Sequence, residues 1–247
     1  PCVSKPSMSS SGRGQRTLRS ADDIQMAWDA SMSETRGNRD QVILEEWLEF
    51  DYELTILTVR HSDGITCCPP IEHRQQDGDW DISIQPSPSC TPEVEEEAIR
   101  IARVIVEALG GYGIYGVECF VKGSTVYFNE VSPRPHDTGM VTLQTQHLNQ
   151  FQLHLRAIMG LTIPSHITTH SVGVARPIVI REPCIRPFIS FPRYLLTPYV
   201  QIYIFGKSIV ECKRRIGMII GHSTSSEQIQ SVEELINTII DSMEIRM

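Results

Sequence analysis

Two glutamates, Glu118 and Glu130, stand on either side of a glycine turn at Gly123, inside the stretch GIYGVECFVKGSTVYFNEV. Their even spacing across an antiparallel hairpin is expected to place both carboxylates on one face, opposite or one step apart. Like charges so placed repel. Mg2+ would relieve that repulsion, because it takes one or two carboxylates together with phosphate oxygens. The competing reading is two solvated glutamates on an exposed hairpin. The apolar neighbours Val117, Phe120 and Val131, and Asn129 beside Glu130, favour a site. The chain leaves this hairpin as NEVSPRPHDTGM, residues 129–140. Pro133 and Pro135 each fix their own φ and push the preceding residue toward extended geometry. That stiffness can aim Arg134 and His136 without loop entropy to lose.

Four other stretches carry polar chemistry. In SSSGRGQ, residues 9–15, Gly12 and Gly14 let the backbone expose its amides, while Ser10, Ser11, Arg13 and Gln15 add polar side chains. Such a loop suits an anion such as a nucleotide phosphate, though its spacing is not that of a P-loop, and a plain surface loop would read the same. Just upstream, Lys5 sits in an apolar strand from which it could reach a phosphate or snorkel outward. In LEEWLEFDYE, residues 44–53, Glu45, Glu46, Trp47 and Leu48 form a strand-to-connector segment able to offer backbone groups to an adenine edge. Glu53 is the acid for a ribose hydroxyl; solvated glutamates on an amphipathic edge are the alternative. EHRQQDGDWD, residues 72–81, is a polar turn in which His73 reads as an ordinary histidine. FGKSIVECKRRIG, residues 205–217, clusters Lys207, Arg214 and Arg215, which are either a solvated basic face or a phosphate grip.

These residues must be positioned by secondary structure. Ser20, Asp22 and Asp23 read as a helix start, with Ile24 and Trp28 on one face of the helix that follows. QVILEEWLEFDYELTILTVR reads as two strands, and residues 61–90, with their glycines and prolines, as loop. Thr91 caps and Pro92 opens a helix with Ala98, Ile101, Ile105 and Leu109 as its buried stripe and Gly110 or Gly111 as its end. A further helix is expected over about 149–159, with Phe151, Leu155 and Ile158 inward. Strands dominate from about Ser171, before a last amphipathic helix near 231–243. The fold class is α+β, with a mostly antiparallel sheet carrying the chemistry.

Composition bounds the partners. The 247 residues carry a formal net charge of −8, which argues against a nucleic-acid partner. No run reaches membrane-spanning length, so no membrane partner is expected. The 7 cysteines are irregularly spaced and form no C-x-x-C, so reduced thiols and a cytoplasmic location are expected. Pro1-Cys2-Val3 reads as the interior of a strand, so the expectation is a piece of a longer polypeptide or a gene that has lost its beginning.

The order of these motifs resembles the ATP-grasp superfamily. Within it the chain is most similar to the formate-dependent phosphoribosylglycinamide formyltransferases, through PCVSKPSMSSSGRGQ, EFDYELTILTVR, HRQQDGDWD, ALGGYGIYGVECFV, NEVSPRPHDTGMVTL, LHLRAIMGL and FGKSIVECKRRIG. The related carboxyaminoimidazole ribonucleotide synthases share an arginine-proline-histidine signature but continue with Asn-Ser-Gly-His. Here the continuation is Asp137-Thr138-Gly139-Met140. The resemblance implies an ATP-grasp fold over 1–165, lacking the family's preceding domain, and a small β-rich domain over 166–247. It also implies that formate, ATP and glycinamide ribonucleotide give formylglycinamide ribonucleotide, ADP and phosphate, through formyl phosphate.

The same resemblance implies roles. Lys5, Ser10, Ser11, Gly12, Arg13, Gly14, Gln15, Glu45, Glu46, Trp47, Leu48 and Glu53 would bind ATP. Glu118 and Glu130 would hold Mg2+, Arg134 and His136 would face the phosphoryl transfer, and Asp137, Lys207, Arg214 and Arg215 would contact the ribonucleotide. A homodimer is the implied assembly. This chain departs from the pattern with Arg13 for a usual Lys, Glu46 and Glu72 for usual glycines, Ile84 for an expected Trp, and a poor match over 181–198. Those departures bear on turnover more than on fold. A non-catalytic nucleotide- or partner-binding relic, and a ligase of another carboxylate and amine, remain open.

Overall fold

The strand β1 (Cys2–Pro6) is paired on both sides, with β2 (Arg16–Leu18) along one edge. The helix α1 (Ile24–Glu34) packs on it through Ala27 and Ser31, and β3 (Val42–Glu46) closes the other edge. The computed structural model describes residues 1–9, 12–37, 40–76, 78–210 and 214–246. It divides into two units, one of Pro1–Phe50 with Gln75–Trp80 and one of Asp51–Arg74 with Asp81–Met247. The helix-start signature at Ser20 forms a 3-10 turn over Ala21–Asp23, where the Asp23 carboxylate accepts from the backbone N–H groups of Arg19 and Ser20. Ile24 and Trp28 share an exposed face of α1, and the small residues Ala27 and Ser31 make the close approach to the strands.

The second unit is built on a long antiparallel sheet. Its first strands are β4 (Tyr52–His61), β5 (Gly64–Cys67), β6 (Ile71–Gln76) and β7 (Asp79–Gln85). After α2 (Pro92–Leu109) come β8 (Gly113–Lys122) and β9 (Thr125–Ser132), then the short α3 (Thr142–Thr145) and α4 (Gln150–Ile158). β10 (Val172–Ile180), β11 (Cys184–Ile185), β12 (Phe188–Ser190), β13 (Val200–Ile204), β14 (Ile209–Val210) and β15 (Arg214–Ser223) precede α5 (Ile229–Ser242) and β16 (Glu244–Arg246). The nine-stranded sheet runs β13-β15-β10-β7-β6-β4-β8-β9, with β5 also on β4. The mixed α and β class and the antiparallel sheet agree with the sequence. The expected boundary between 165 and 166 falls inside this second unit, where β10 pairs with β7.

Three local readings are corrected. Residues 61–90 are largely strand: Gly64 and Gly78 supply turns at positive φ, and after Gly78 β7 alternates Trp80, Ile82 and Ile84 into the interior. In α2 the fully buried positions are Val94, Ala98, Ala102 and Val106, while Leu109 is exposed. Alanines at the contact let the helix sit close on Leu54, Ile56, Val117 and Cys119. In α4 the inward residues are Gln150, Leu153 and Ala157, and the expected stripe Phe151, Leu155 and Ile158 is exposed. The rotation of α4 is set by a polar residue, Gln150, whose partners appear below. A second core joins α5 to β10 and β15 through Ile178, Ile219, Ile236 and Ile239.

Strand β4 is covered on both faces, which explains its nearly continuous apolar run. Leu54 and Ile56 meet α2, so the alternation turns Glu53, Thr55 and Leu57 to the other face. The Thr91 hydroxyl accepts from Val94 N–H at the start of α2, as its sequence suggested. Thr91→Ala is expected to lower the stability of the second unit by about 1 kcal/mol in urea unfolding, with an unchanged fold by circular dichroism.

Candidate functional site

The face of β4 turned away from α2 carries the polar residues, and its neighbours align with them. Thr55 pairs with Glu118 across β4 and β8, and Glu118 pairs with Glu130 across β8 and β9. Glu53 pairs with His73 across β4 and β6. Glu118 and Glu130 are thus directly opposite, though not for the reason of simple parity. Lys122 pairs with Thr125 across a two-residue turn, a register that would set Glu118 against Asn129. A bulge between Glu118 and Cys119 shifts the register by one residue and brings Glu130 into line.

Above this row lies His136. Its Nε2 is 2.9 Å from Glu118 Oε1. Gly116 makes room for the ring, since a Cβ there would come within 2.8 Å of His136 Cγ. The backbone of His136 is clamped from α4: its N–H donates to Gln150 Oε1 at 2.8 Å, and Gln150 Nε2 donates to His136 O at 2.9 Å. Gly139 is required beside this clamp, because a Cβ would meet Gln150 Oε1 at 2.4 Å. A buried relay follows. His136 Nδ1 is 2.9 Å from Thr138 Oγ1, Thr138 Oγ1 donates to Thr55 Oγ1 at 2.8 Å, and Thr55 Oγ1 is 3.2 Å from His73 Nδ1. His73 Nε2 is 3.7 Å from Glu118 and 3.8 Å from Glu53, and has no hydrogen-bond partner among the described residues.

Burial pushes the Glu118 carboxyl up, but His136 and His73 outweigh it and hold the group well below the usual carboxylate range. Burial likewise pushes the His73 imidazole down, and Glu118, Glu53 and Glu130 outweigh it and hold the group above the ordinary histidine value. One atom each from Glu118, Glu130 and His136 lies within 4.8 Å of the others, a spacing able to surround a metal ion. Glu118 and His136 are buried and Glu130 is exposed. Two carboxylates, the His136 imidazole, and beside them the His73 nitrogen with no partner among the described residues fit a divalent cation.

The remaining expected residues fall as follows. Lys5 on β1 makes a 2.6 Å ion pair with Glu45 on β3. Gly12 and Gly14 hold positive φ in a turn closed by Gln15 N–H donating to Gly12 O, with Arg13 exposed. Gly14 packs so closely on α1 that a Cβ would lie 2.9 Å from Ala30 O. Ser10 and Ser11 lie outside the described residues. Glu46 ends β3, Trp47 N–H donates to Pro1 O, and Leu48 follows in the connector. Asp137 pairs with Arg215, and Lys207 Nζ donates to Arg215 O at 2.8 Å, so three of the four residues expected at the ribonucleotide come together. Arg214 is exposed at the start of β15. Arg134 is exposed and donates to Pro135 O at 3.0 Å, apart from the buried His136.

Sequence reasoning passed over His73, Thr55, Thr138 and Gln150. The signal for His73 was its place two residues after Ile71 in a strand, where both side chains turn inward.

The chain is similar to known proteins along its whole length. The family model described as the ATP-grasp domain matches residues 1–151. A formate-dependent phosphoribosylglycinamide formyltransferase from Syntrophotalea carbinolica is 48% identical over 219 residues, 88% of this chain and 55% of that protein. One from Haloquadratum walsbyi is 45% identical over 246 residues, 99% of this chain and 60% of that protein. The chain therefore spans somewhat over half the length of these relatives. Among solved structures, carboxyaminoimidazole ribonucleotide synthase from Aspergillus clavatus, complexed with ATP, superposes with a TM-score of 0.82 at 24% identity, over 98% of this chain and 62% of that one. Glycinamide-RNase-transformylase T from Mycobacterium tuberculosis gives 0.65 at 29% identity, over 82% and 59%.

Two outcomes follow from the geometry. Gly116→Ala is expected to drive the His136 ring off Glu118, read as a shift of both imidazole nitrogen resonances in 15N spectra with the β8 amides kept. The titrations fix a sign. With His73 raised in the folded state, its contribution is complete below its ordinary value of 6.5 and is lost as pH rises through the folded value. With Glu118 depressed, its contribution is present above the ordinary carboxylate value and is lost as pH falls through the folded one. Urea stability in chelator is expected to decline above pH 6.5 in the wild type, and His73→Asn is expected to flatten that decline.

Proposed function

The chain belongs to the ATP-grasp family, and on that premise we propose that it binds Mg·ATP and serves formate-dependent formylation of glycinamide ribonucleotide. The observation that carries this reading is the Glu118–Glu130 pair, two opposed carboxylates with His136 within metal-ligand spacing. The identity of 45–48% to formyltransferases, over 88–99% of the chain, supports this choice of reaction.

Glu118 and Glu130 would hold Mg2+. When bound, the ion neutralises phosphate oxygens during transfer of the γ-phosphoryl group. Lys5 would supply further positive charge to the phosphates, the glycine turn at 12–15 its backbone amides, the connector from Glu45 to Leu48 the adenine contacts, and Glu53 a ribose hydroxyl. A formate oxygen attacks the γ-phosphorus as the bond to the bridging oxygen of ADP breaks, giving formyl phosphate. The amine of glycinamide ribonucleotide then attacks the formyl carbon. It loses a proton as phosphate leaves. Asp137, Arg215, Lys207 and Arg214 would hold that ribonucleotide, Arg gripping phosphate in two-point fashion. Alignment and charge neutralisation do most of the work in such a transfer. A homodimer is the proposed assembly. No described helix is long and apolar enough to cross a membrane.

Calorimetric titration tests the first step. Glu130→Gln is expected to weaken Mg·ATP binding by about tenfold or more, as changes at metal sites commonly do. Glu118→Gln is expected to do the same. Glu130 is exposed, so its variant separates a binding defect from a folding one. Unchanged binding in both would remove the metal assignment. ADP release requiring both formate and glycinamide ribonucleotide is the expected activity. Mg·ATP binding without it would overturn formyl transfer and leave a nucleotide-binding module.

A further inference from the structure

We propose that His136 is a third protein ligand of the divalent cation, and that this nitrogen donor turns the site toward a transition-metal ion such as Mn2+ over Mg2+. The inference rests on the reading that Glu118 and Glu130 hold a cation. It goes beyond that reading in the identity of the donor set and of the metal.

The geometry supplies the donor. His136 Nε2 and one oxygen from each glutamate lie within 4.8 Å of one another, so an ion among them would meet all three. The ring is fixed at every side: Gly116 beneath it, the Gln150 clamp on its backbone, and Thr138 on Nδ1. Metal-binding imidazoles are held in this way, with the second nitrogen bonded to an oxygen that sets tautomer and orientation. A second observation points to a ligand at the same place. His73 is 1% exposed, and its Nε2 has no hydrogen-bond partner among the described residues and is aimed at Glu118 and Glu53 from under 4 Å. A buried donor left open marks where a ligand atom or bound water belongs.

The proton count closes. Without metal, His136 Nε2–H donates to the Glu118 carboxylate, which can only accept. Ligation requires that nitrogen's lone pair, while Nδ1–H donates to Thr138 Oγ1, whose own proton goes to Thr55. Thr138 then donates to Thr55, the direction the structure already has, and Thr55 to His73 Nδ1. His73 keeps its one proton on Nε2, facing the carboxylates. With the ion bound each imidazole carries one proton, His136 on Nδ1 and His73 on Nε2, and the proton that His136 Nε2 held leaves to solvent as the ion takes its place. An all-oxygen set suits Mg2+, whereas imidazole nitrogen raises affinity for transition-metal ions more than for Mg2+.

Mn2+ is the probe. Electron spin-echo modulation of Mn2+ bound to the wild-type chain is expected to show 14N coupling from one directly bound imidazole. In His136→Asn that coupling should vanish, and Mn2+ affinity should fall about tenfold or more while Mg2+ affinity, read by competition, changes little. Wild-type Mn2+ bound without nitrogen coupling would overturn the proposal, and needs no variant to fold. Coupling that survives in His136→Asn would overturn it too, and assign the nitrogen elsewhere. Failure to bind any Mn2+ would overturn the cation reading of Glu118 and Glu130 and this inference with it.

Discussion

The rest of the second unit is organised around one buried charge, the Glu118 carboxylate at 4% exposure. Placing an ionised carboxylate in a protein interior costs several kcal/mol even after the surroundings relax. The structure offsets that cost with two imidazoles, one at 2.9 Å and one at 3.7 Å. Each imidazole has its own structural requirement. His73 needs β6 beside β4, in a segment whose turn residues and prolines suggest loop. His136 needs the rigid exit from β9, a missing side chain at Gly116 and a clamp from Gln150. The clamp then decides which way α4 faces. Gln150 must point inward, so Phe151, Leu155 and Ile158 point out. An electrostatic need on one strand thus overrides the apolar pattern of a helix.

The bulge in β9 belongs to the same constraint. In a regular hairpin closed by Gly123 and Ser124, Asn129 would oppose Glu118, and Glu130 would turn toward the face where Val126 packs under α2. Burying a second carboxylate there, among Leu54, Val117 and Val121, would leave it without a partner. One inserted residue returns Glu130 to the polar face, at its exposed edge. The two glutamates therefore differ in kind. Glu118 is desolvated and fixed by imidazoles, while Glu130 stays hydrated.

The sequence made some of this legible. The capped α2, the strands β3 and β4 and the two glutamates were readable because local chemistry and tertiary structure agree there: Thr91 caps, Gly110 terminates, and the hairpin turns at a glycine. The stiffness around Pro133 and Pro135 was readable, but not that it would send His136 inward and Arg134 outward. What escaped the sequence lies where tertiary needs overrule local pattern. Strands β5 to β7 were hidden because their glycines and prolines mark turns between short strands as readily as they mark loop. His73 looked ordinary because its burial comes from its pairing with β4. Gln150 carried no signal in the sequence, since a glutamine takes an inward position only with a specific partner. Even the correct placement of Glu130 depended on a bulge that spacing alone does not reveal.

The same pairing logic appears outside the buried centre with a different strength. Lys5 is matched by Glu45, and Arg215 by Asp137, in pairs whose side chains are a fifth to two-fifths exposed. Ion pairs in such settings contribute about 0–1 kcal/mol, because water screens them and ordering two long side chains opposes them. A phosphate oxygen competing for Lys5 or Arg215 therefore has little to displace. The Glu118 centre is the opposite case. Removing either imidazole would strip the buried charge of one of its two partners, a far larger loss than that of a partly exposed pair. In the proposed phosphoryl transfer, such loosely held cations would admit and release anionic substrates, while the buried carboxylate would keep the proposed cation site fixed as they come and go.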